Sequence, residues 1–93
     1  MKYAIRATTQ FKRDTKLAQR RGYDMDLLRA VIELLAEGNP LPEKYRDHVL
    51  IGDYAGHREC HIQPDWLLVY KKLEREIILE LVRHGTHSDL FKK

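Results

Sequence analysis

The chain has few of the features that mark exported or membrane-bound proteins. Cys60 is its only cysteine, so no disulfide can form within the 93 residues, and a reducing compartment is expected. No apolar run approaches the ~18 residues typical of a membrane-spanning helix. The N-terminal stretch, MKYAIRATTQFKRD, has no hydrophobic signal segment. These absences predict a cytoplasmic protein that is neither exported nor bound to a membrane.

Positive charge is only slightly in excess, but the basic residues and the histidines are unevenly distributed along the chain. The formal net charge is +3, which favours anionic partners without identifying one. A basic group lies near the start of the chain and consists of Lys12, Arg13, Lys16, Arg20 and Arg21. All five histidines lie in the second half, at positions 48, 57, 61, 84 and 87. The first group is suited to holding an anion, and the second is suited to proton transfer.

The length and the pattern of the first half predict one domain that begins with a strand and two helices. A chain of this size can bury a modest core without disulfides or metal, because folding alone becomes difficult only below ~40 residues. We expect a single domain over residues 1–93. Thr8 or Thr9 can cap the first helix, and Asp24 can cap the second. The predicted elements are a strand over 1–7, a helix over 10–21 and a helix over 24–37.

After residue 50 the hydrophobic period becomes that of strands. The segment HRECHIQ alternates, with His57, Glu59 and His61 on one face and the residues between them on the other. QPDW is a turn, and Lys72 to Arg75 is a polar connection. The remaining segments, WLLVYKK and EIILELVR, predict two further strands. Together these elements predict an α+β fold in which two helices pack on a twisted, mostly antiparallel sheet.

This arrangement groups several polar side chains at one end of the sheet. His61 precedes the QPDW turn on the polar face, and Asp65 lies within that turn. The last strand returns to the same end if it is antiparallel, which brings Arg83 and His87 there. His48 lies in the loop that enters the sheet. We therefore expect these five side chains to converge on one exposed surface.

Each candidate residue also has a simpler interpretation. The pair His84 and His87 lacks the third and fourth ligands of a zinc motif, and Cys60 points away from His61, so no metal or other cofactor is expected. His57 and His84 are interpreted as solvent-facing or capping side chains. Cys60, Trp66 and Tyr70 are expected in the core. Phe91 either packs on the sheet or stacks on a base. The exposed side of the first helix, with Lys12, Lys16 and Arg20, is either a solvated face or a nucleic-acid contact.

The sequence resembles the YafQ branch of the RelE/ParE toxin superfamily, found in bacterial type II toxin–antitoxin modules. Three motifs carry the resemblance in the same order as in the family. They are Asp47, His48, Leu50 and Gly52 in DHVLIG, then Pro64, Asp65 and Trp66, and then the stretch from Arg83 to Phe91, RHGTHSDLF. FKRDTKLAQRRGYDM extends the resemblance to the N-terminal half. Glu59 departs from the family pattern, in which aspartate is more usual.

The resemblance implies a RelE-like fold and a small endoribonuclease that cuts mRNA in the ribosomal A site. It implies a catalytic set of His48, His61, Asp65 and His87, assisted by Arg83 and Phe91. Lys12, Lys16 and Arg20 would then bind ribosomal RNA phosphates. An acidic, inhibitory antitoxin is the implied partner, with which an otherwise monomeric toxin would form a hetero-oligomer.

RNA cleavage without metal explains the choice of residue types. The neighbouring 2′-hydroxyl attacks the phosphate, so one group must accept its proton and another must protonate the leaving oxygen. Our hypothesis makes His48 the base and His87 the acid, although the two roles could be exchanged. His61 and Arg83 would hold the phosphate, Asp65 would orient a histidine or take part in proton transfer, and Phe91 would stack on a base.

Two other functions remain compatible with the same fold. ParE-like relatives bind DNA gyrase and perform no RNA chemistry, and an inactive relative could serve as a nucleic-acid-binding regulator. Neither would need histidines and an aspartate to be assembled at one place. The histidine–aspartate set therefore favours the nuclease.

Overall fold

A computed structural model describes residues 2–91 and contains a five-stranded sheet with two long helices on one face. The strands are β1 (Ala4–Ala7), β2 (His48–Val49), β3 (Arg58–Gln63), β4 (Trp66–Leu73) and β5 (Ile78–Gly85), and the helices are α1 (Thr9–Arg20), α2 (Met25–Ala36) and α3 (His87–Leu90). The strand order is β1-β5-β4-β3-β2. Only β1 and β5 pair in parallel. The predicted α+β class and mostly antiparallel sheet are confirmed.

The two long helices begin at the predicted caps. The Thr8 hydroxyl accepts a hydrogen bond from the backbone N–H of Phe11 at 2.9 Å. The Asp24 carboxylate accepts one from the N–H of Asp26 at 3.0 Å. Each bond satisfies a backbone donor that the first turn of a helix leaves without a partner. Thr8 is therefore the cap of α1, which settles the choice between the two threonines.

The main core lies between these helices and one face of the sheet. Trp66, Leu68 and Tyr70 alternate along β4 toward the helices, and Cys60 lies beside them on β3. Burial raises the pKa of the Cys60 thiol to about 12, so the thiol stays protonated and unreactive at neutral pH. The expected core positions of Cys60, Trp66 and Tyr70 are confirmed.

Three elements differ from the prediction. Residues 48 and 49 form the short edge strand β2 instead of lying in a loop. β5 begins at Ile78, two residues late, because Ile77 adopts a positive φ of 55° in the turn after β4. The helix α3 was not predicted at all, since four residues are too few to show a helical period. Its cap is a reciprocal pair of hydrogen bonds between Thr86 and Asp89.

An irregularity in β5 changes which side chains face the helices. Val69 pairs with Arg83 and the next residue of β4, Tyr70, pairs with Leu81, so Val82 is an extra residue in β5. Such a bulge puts two consecutive residues on one face and reverses the alternation beyond it. His84 consequently faces the helices.

The expectation that His84 is solvent-facing or capping is wrong. The ring is only 1% exposed. The Trp66 indole N–H donates to its Nδ1 at 3.0 Å, and its Nε2 lies 2.9 Å from the Thr15 hydroxyl. Burial lowers the pKa of His84 to about 4, so the ring remains neutral inside the core.

The neutral ring of His84 predicts a pH-dependent stability. The unfolded ring takes up a proton near pH 6.5 and the folded ring only near pH 4, so the unfolded state binds more protons between these values. The free energy of unfolding should therefore fall as the pH is lowered through this window, by at most about 3 kcal/mol from this group. Urea titrations at several pH values should show a steeper dependence of the free energy of unfolding on pH for the wild type than for His84→Gln. His57→Gln is the control, and identical slopes for wild type and His84→Gln would contradict the prediction.

Candidate active site

The strand register gathers polar side chains on the sheet face opposite α1 and α2. Directly paired residues of neighbouring strands share a face. One row across β2, β3, β4 and β5 therefore contains His48, Glu59, Val69 and Arg83. The next row contains His61, Leu67 and Gly85. We call this surface the open face.

Three histidines lie side by side on the open face. The ring centroids of His48 and His61 are 6.2 Å apart, and those of His61 and His87 are 5.8 Å apart. His48 and His87 are exposed, and His61 is partly buried between them. The structure thus brings together the three imidazoles that the sequence grouped, on one accessible surface.

Asp65 holds His87 in a defined orientation. One carboxylate oxygen of Asp65 lies 2.6 Å from Nδ1 of His87 and accepts the His87 backbone N–H at 2.9 Å. These backbone and side-chain hydrogen bonds lower the pKa of Asp65, so the carboxylate is ionised at neutral pH. Its acceptor oxygen requires a proton on Nδ1 of His87, which leaves Nε2 directed away from Asp65.

His48 is held from both sides. Its Nδ1 lies 2.7 Å from the backbone carbonyl of Arg46, so Nδ1 carries the proton and donates it. Its Nε2 lies 3.3 Å from Oε1 of Glu59. Arg46 has a positive φ of 50°, unusual for a residue with a side chain, and this conformation occurs just before the catalytic candidate His48.

Glu59 was missed as a functional candidate. Its side chain is buried, and Oε1 also lies 3.8 Å from Nε2 of His61, so one carboxylate oxygen serves two imidazoles. The other oxygen, Oε2, is buried without a hydrogen-bond partner among residues 2–91. The alternation of β3 had placed Glu59 on the same face as His61. That position was the signal available in the sequence.

Arg83 lies on the open face, but one edge of its guanidinium is occupied. Nε and Nη2 donate to the two carboxylate oxygens of Asp14 at 3.1 and 2.9 Å. This pairing with Asp14 raises the pKa of Arg83. Nη1 lies 3.4 Å from the backbone carbonyl of Asp89. Asp14 therefore takes two donors of the guanidinium that the sequence predicts would hold a phosphate.

Phe91 packs at the rim of the open face and keeps part of its ring exposed. It meets Tyr54 edge to face, with ring centroids 5.8 Å apart. Leu90 and Leu67 lie beneath it in a small second core. A Cβ at Gly85 would lie 2.9 Å from an Asp89 carboxylate oxygen, so the missing side chain leaves room for Asp89 at the start of α3. Tyr54, which the sequence did not single out, therefore belongs to the same aromatic group as Phe91.

The remaining histidine and the basic helix lie outside the row of imidazoles. Nδ1 of His57 lies 3.2 Å from the carbonyl of Tyr54, which agrees with a capping role. Lys12, Lys16 and Arg20 are exposed along α1. None of the ion pairs formed among residues 2–91 involves these three side chains. They present a row of uncompensated positive charge.

Two kinds of feature are absent from residues 2–91, namely a cluster of metal ligands and a membrane-spanning helix. No group of three or more histidine, cysteine or acidic side chains lies close enough together to hold a metal ion. No helix has the length and apolar character required to cross a membrane.

The Asp65 contact predicts the tautomer of His87. With Asp65 present, the neutral ring should carry its proton on Nδ1, and ¹⁵N NMR should show Nε2 as the unprotonated nitrogen. In Asp65→Ala the acceptor is lost, and the Nε2–H form, which is ordinarily favoured for a free ring, should gain population. Arg75→Ala, in the distant turn after β4, is the control. The same Nδ1–H population in wild type and Asp65→Ala would contradict the inferred hydrogen bond.

Comparison with known proteins places the chain in a family. A family-level sequence model described as "Bacterial toxin of type II toxin-antitoxin system, YafQ" matches residues 3–92. The mRNA interferase toxin YafQ of Escherichia coli K12 is 42% identical over 88 residues, which cover 94% of each protein.

Solved structures agree with this result and with the predicted RelE-like fold. YafQ from E. coli BL21(DE3) superposes with a TM-score of 0.90 at 40% identity, over 96% of this chain and 98% of that one. YafQ in an E. coli DinJ–YafQ complex gives 0.88 at 41% identity over the same shares. A metal-bound toxin from Helicobacter pylori gives 0.90 at 44% identity, over 96% and 99%. The chain belongs to the YafQ family of bacterial toxins from type II toxin–antitoxin systems.

Proposed function

We propose that this protein is an mRNA interferase, an endoribonuclease that cuts mRNA in the ribosomal A site and thereby stops translation. The observation that carries the proposal is the row of three imidazoles on the open face, flanked by the carboxylates of Glu59 and Asp65. The relatives named as mRNA interferase toxins support the same activity. The reaction needs no metal in this proposal, because histidines supply both proton transfers.

His48 is assigned as the general base. Its Nδ1 proton is engaged by the Arg46 carbonyl, so Nε2 is the unprotonated nitrogen of the neutral ring and would accept the proton of the attacking 2′-hydroxyl. The imidazolium that forms then lies 3.3 Å from the buried Glu59 carboxylate, which stabilises the positive charge. Glu59 thus has a supporting part in the proposal and no direct contact with the reacting atoms.

His87 is assigned as the general acid. Asp65 holds the ring of His87 through the contact at Nδ1, and Nε2 of the protonated ring would be the proton donor to the leaving 5′-oxygen. His61 lies between the base and the acid and would hydrogen-bond the phosphate. Arg83 would use Nη1 for the same purpose, while its contact with Asp14 keeps the guanidinium in place.

Two further surfaces complete the proposed interaction with the ribosome. The aromatic rings of Phe91 and Tyr54 would provide a stacking platform for a base beside the cut. Lys12, Lys16 and Arg20 would bind phosphates of ribosomal RNA. We expect this activity in the cytoplasm, because translating ribosomes carry the mRNA there.

A cognate antitoxin is the proposed inhibitory partner, as the DinJ–YafQ complexes of E. coli suggest. We expect it to be acidic, since the toxin carries a net charge of +3. The toxin would be a monomer when free and part of a hetero-oligomer with the antitoxin.

The assignment of acid and base predicts the loss of cleavage in two variants. His87→Ala and His48→Ala should each lower the single-turnover rate on programmed ribosomes by roughly 10²–10⁴-fold, measured by mapping mRNA 5′ ends. Arg75→Ala, remote from the open face, should cleave like the wild type. Unchanged cleavage by His87→Ala would refute the assignment. Intact mRNA with the wild-type protein would refute the nuclease and favour a gyrase-binding or regulatory protein.

The basic face of α1 predicts a salt-dependent affinity for ribosomes. Each phosphate contact contributes about 0.7–0.9 to the slope of log affinity against log salt concentration. Replacing Lys12, Lys16 and Arg20 together with alanine should therefore reduce that slope by about 2–3 in binding titrations.

A control must remove the same charge elsewhere on the protein. A triple alanine variant at Arg6, Arg29 and Arg75 does so, and its slope should stay close to that of the wild type. Equal reductions of the slope in the two triple variants would show that the affinity for ribosomes depends on net charge and not on the basic face of α1.

A further inference from the structure

A cavity opens next to the row of histidines and is not used by the proposed mechanism. It has a volume of about 400 Å³, within the range of pockets that hold small molecules. It lies between α2 and the turn that contains the short 3₁₀ helix Glu43–Tyr45. His61 is one of its lining residues, so the cavity borders a residue that the proposed mechanism assigns to the scissile phosphate.

The walls of the cavity combine apolar and cationic groups. Ile62, Pro64 and the ring of Tyr45 line it together with Ala30 of α2. Lys44, Arg46 and Gln63 supply its polar atoms, and no acidic side chain is part of the lining.

Among residues 2–91, the two cations of the lining form no ion pair with an acidic side chain. Nζ of Lys44 lies over the Tyr45 ring, 5.1 Å from its centroid. Apolar and aromatic walls beside cations that no acid neutralises suit a planar base joined to a phosphate.

The backbone links this cavity to the catalytic candidates. Arg46 has a positive φ of 50°. Its carbonyl oxygen accepts a hydrogen bond from Nδ1–H of His48 at 2.7 Å. Arg46 is also one of the residues that line the cavity. The same residue therefore borders both the cavity and His48, and backbone strain of this kind clusters at functional sites.

We propose that this cavity is a nucleotide subsite that binds the mRNA residue flanking the cut. The base lies against Tyr45 and Pro64, where Gln63 can hydrogen-bond its edge, and the attached phosphate lies on Arg46 and Lys44. This inference rests on the proposed nuclease function and extends it, because a pocket for a base is a place where codon preference arises. The presence of His61 and of two cations in the lining, with no acidic residue there, favours RNA over a segment of the antitoxin.

Two variants test the subsite without disturbing the open face. Arg46→Gly removes the guanidinium, and glycine accepts the positive φ that keeps the carbonyl on His48. Ala30→Phe fills the cavity from an exposed position of α2. Arg75→Ala is the control for Arg46→Gly, because it also removes one positive charge. Ala4→Phe, at the distant end of β1, is the control for Ala30→Phe, because it also adds an aromatic ring. Circular dichroism would establish that all four variants are folded.

The measurements are KM and kcat on programmed ribosomes and the distribution of cuts over codons. Contacts to a flanking nucleotide are made equally in the ground and transition states, so they change KM alone. Arg46→Gly and Ala30→Phe should each raise KM about tenfold or more with kcat within about threefold, and Ala30→Phe should alter codon preference. Their affinity for ribosomes carrying an uncleavable 2′-deoxy codon should fall by the same factor.

The other outcomes overturn the subsite. Unchanged KM and codon preference in both variants would do so, as expected if the cavity belonged to the antitoxin. A loss confined to kcat would assign Arg46 to the placement of His48 and not to RNA binding. The subsite and the nuclease fail separately, because absence of cleavage by the wild type refutes the nuclease itself.

Discussion

The extra residue Val82 in β5 determines what each face of the sheet can do. Without it, Arg83 would continue the series of Leu79 and Leu81 and point into the core beneath the helices. With it, His84 enters the core and Arg83 reaches the open face. The helix α1 then covers the free edge of β5 beyond the end of β1, where the Asp14 carboxylate accepts both the His84 backbone N–H and the Arg83 guanidinium. One buried carboxylate thus ties the core to the candidate site.

Acidic side chains are used in two different ways in this molecule. Asp14 has its charge compensated by Arg83 and by backbone and side-chain donors, and Asp47 is bound by Arg58 and Tyr70. Glu59 has only imidazoles near one oxygen, and its other oxygen has no partner among residues 2–91. Leaving a buried carboxylate oxygen without a donor is costly. Under the proposed mechanism this cost has a use, because the carboxylate would stabilise the imidazolium that forms on His48.

The parts of the structure that could be predicted are those with a repeating local signal. The caps of α1 and α2 follow from single side chains, and the alternation of β3 follows from a short period. That alternation and the QPDW turn bring His61 and Asp65 to one end of the sheet, whereas the place of His87 depended on the assumption that the last strand is antiparallel. The bulge in β5 has no such signal, because it arises from pairing with β4, and the burial of His84 depended on it. The contact of Asp14 with Arg83 spans 69 residues, and no local pattern indicates so distant a partner.

The parallel pairing of β1 with β5 has a consequence for the synthesis of the protein. The first strand can join the sheet only after Ile78 to Leu81 have been made, and His87 follows later still. Contacts between segments so far apart in sequence form late and slowly. Neither the sheet nor the row of imidazoles can therefore be complete while a nascent chain is still being extended through β5. The candidate site is consequently assembled only when nearly the whole chain has been made.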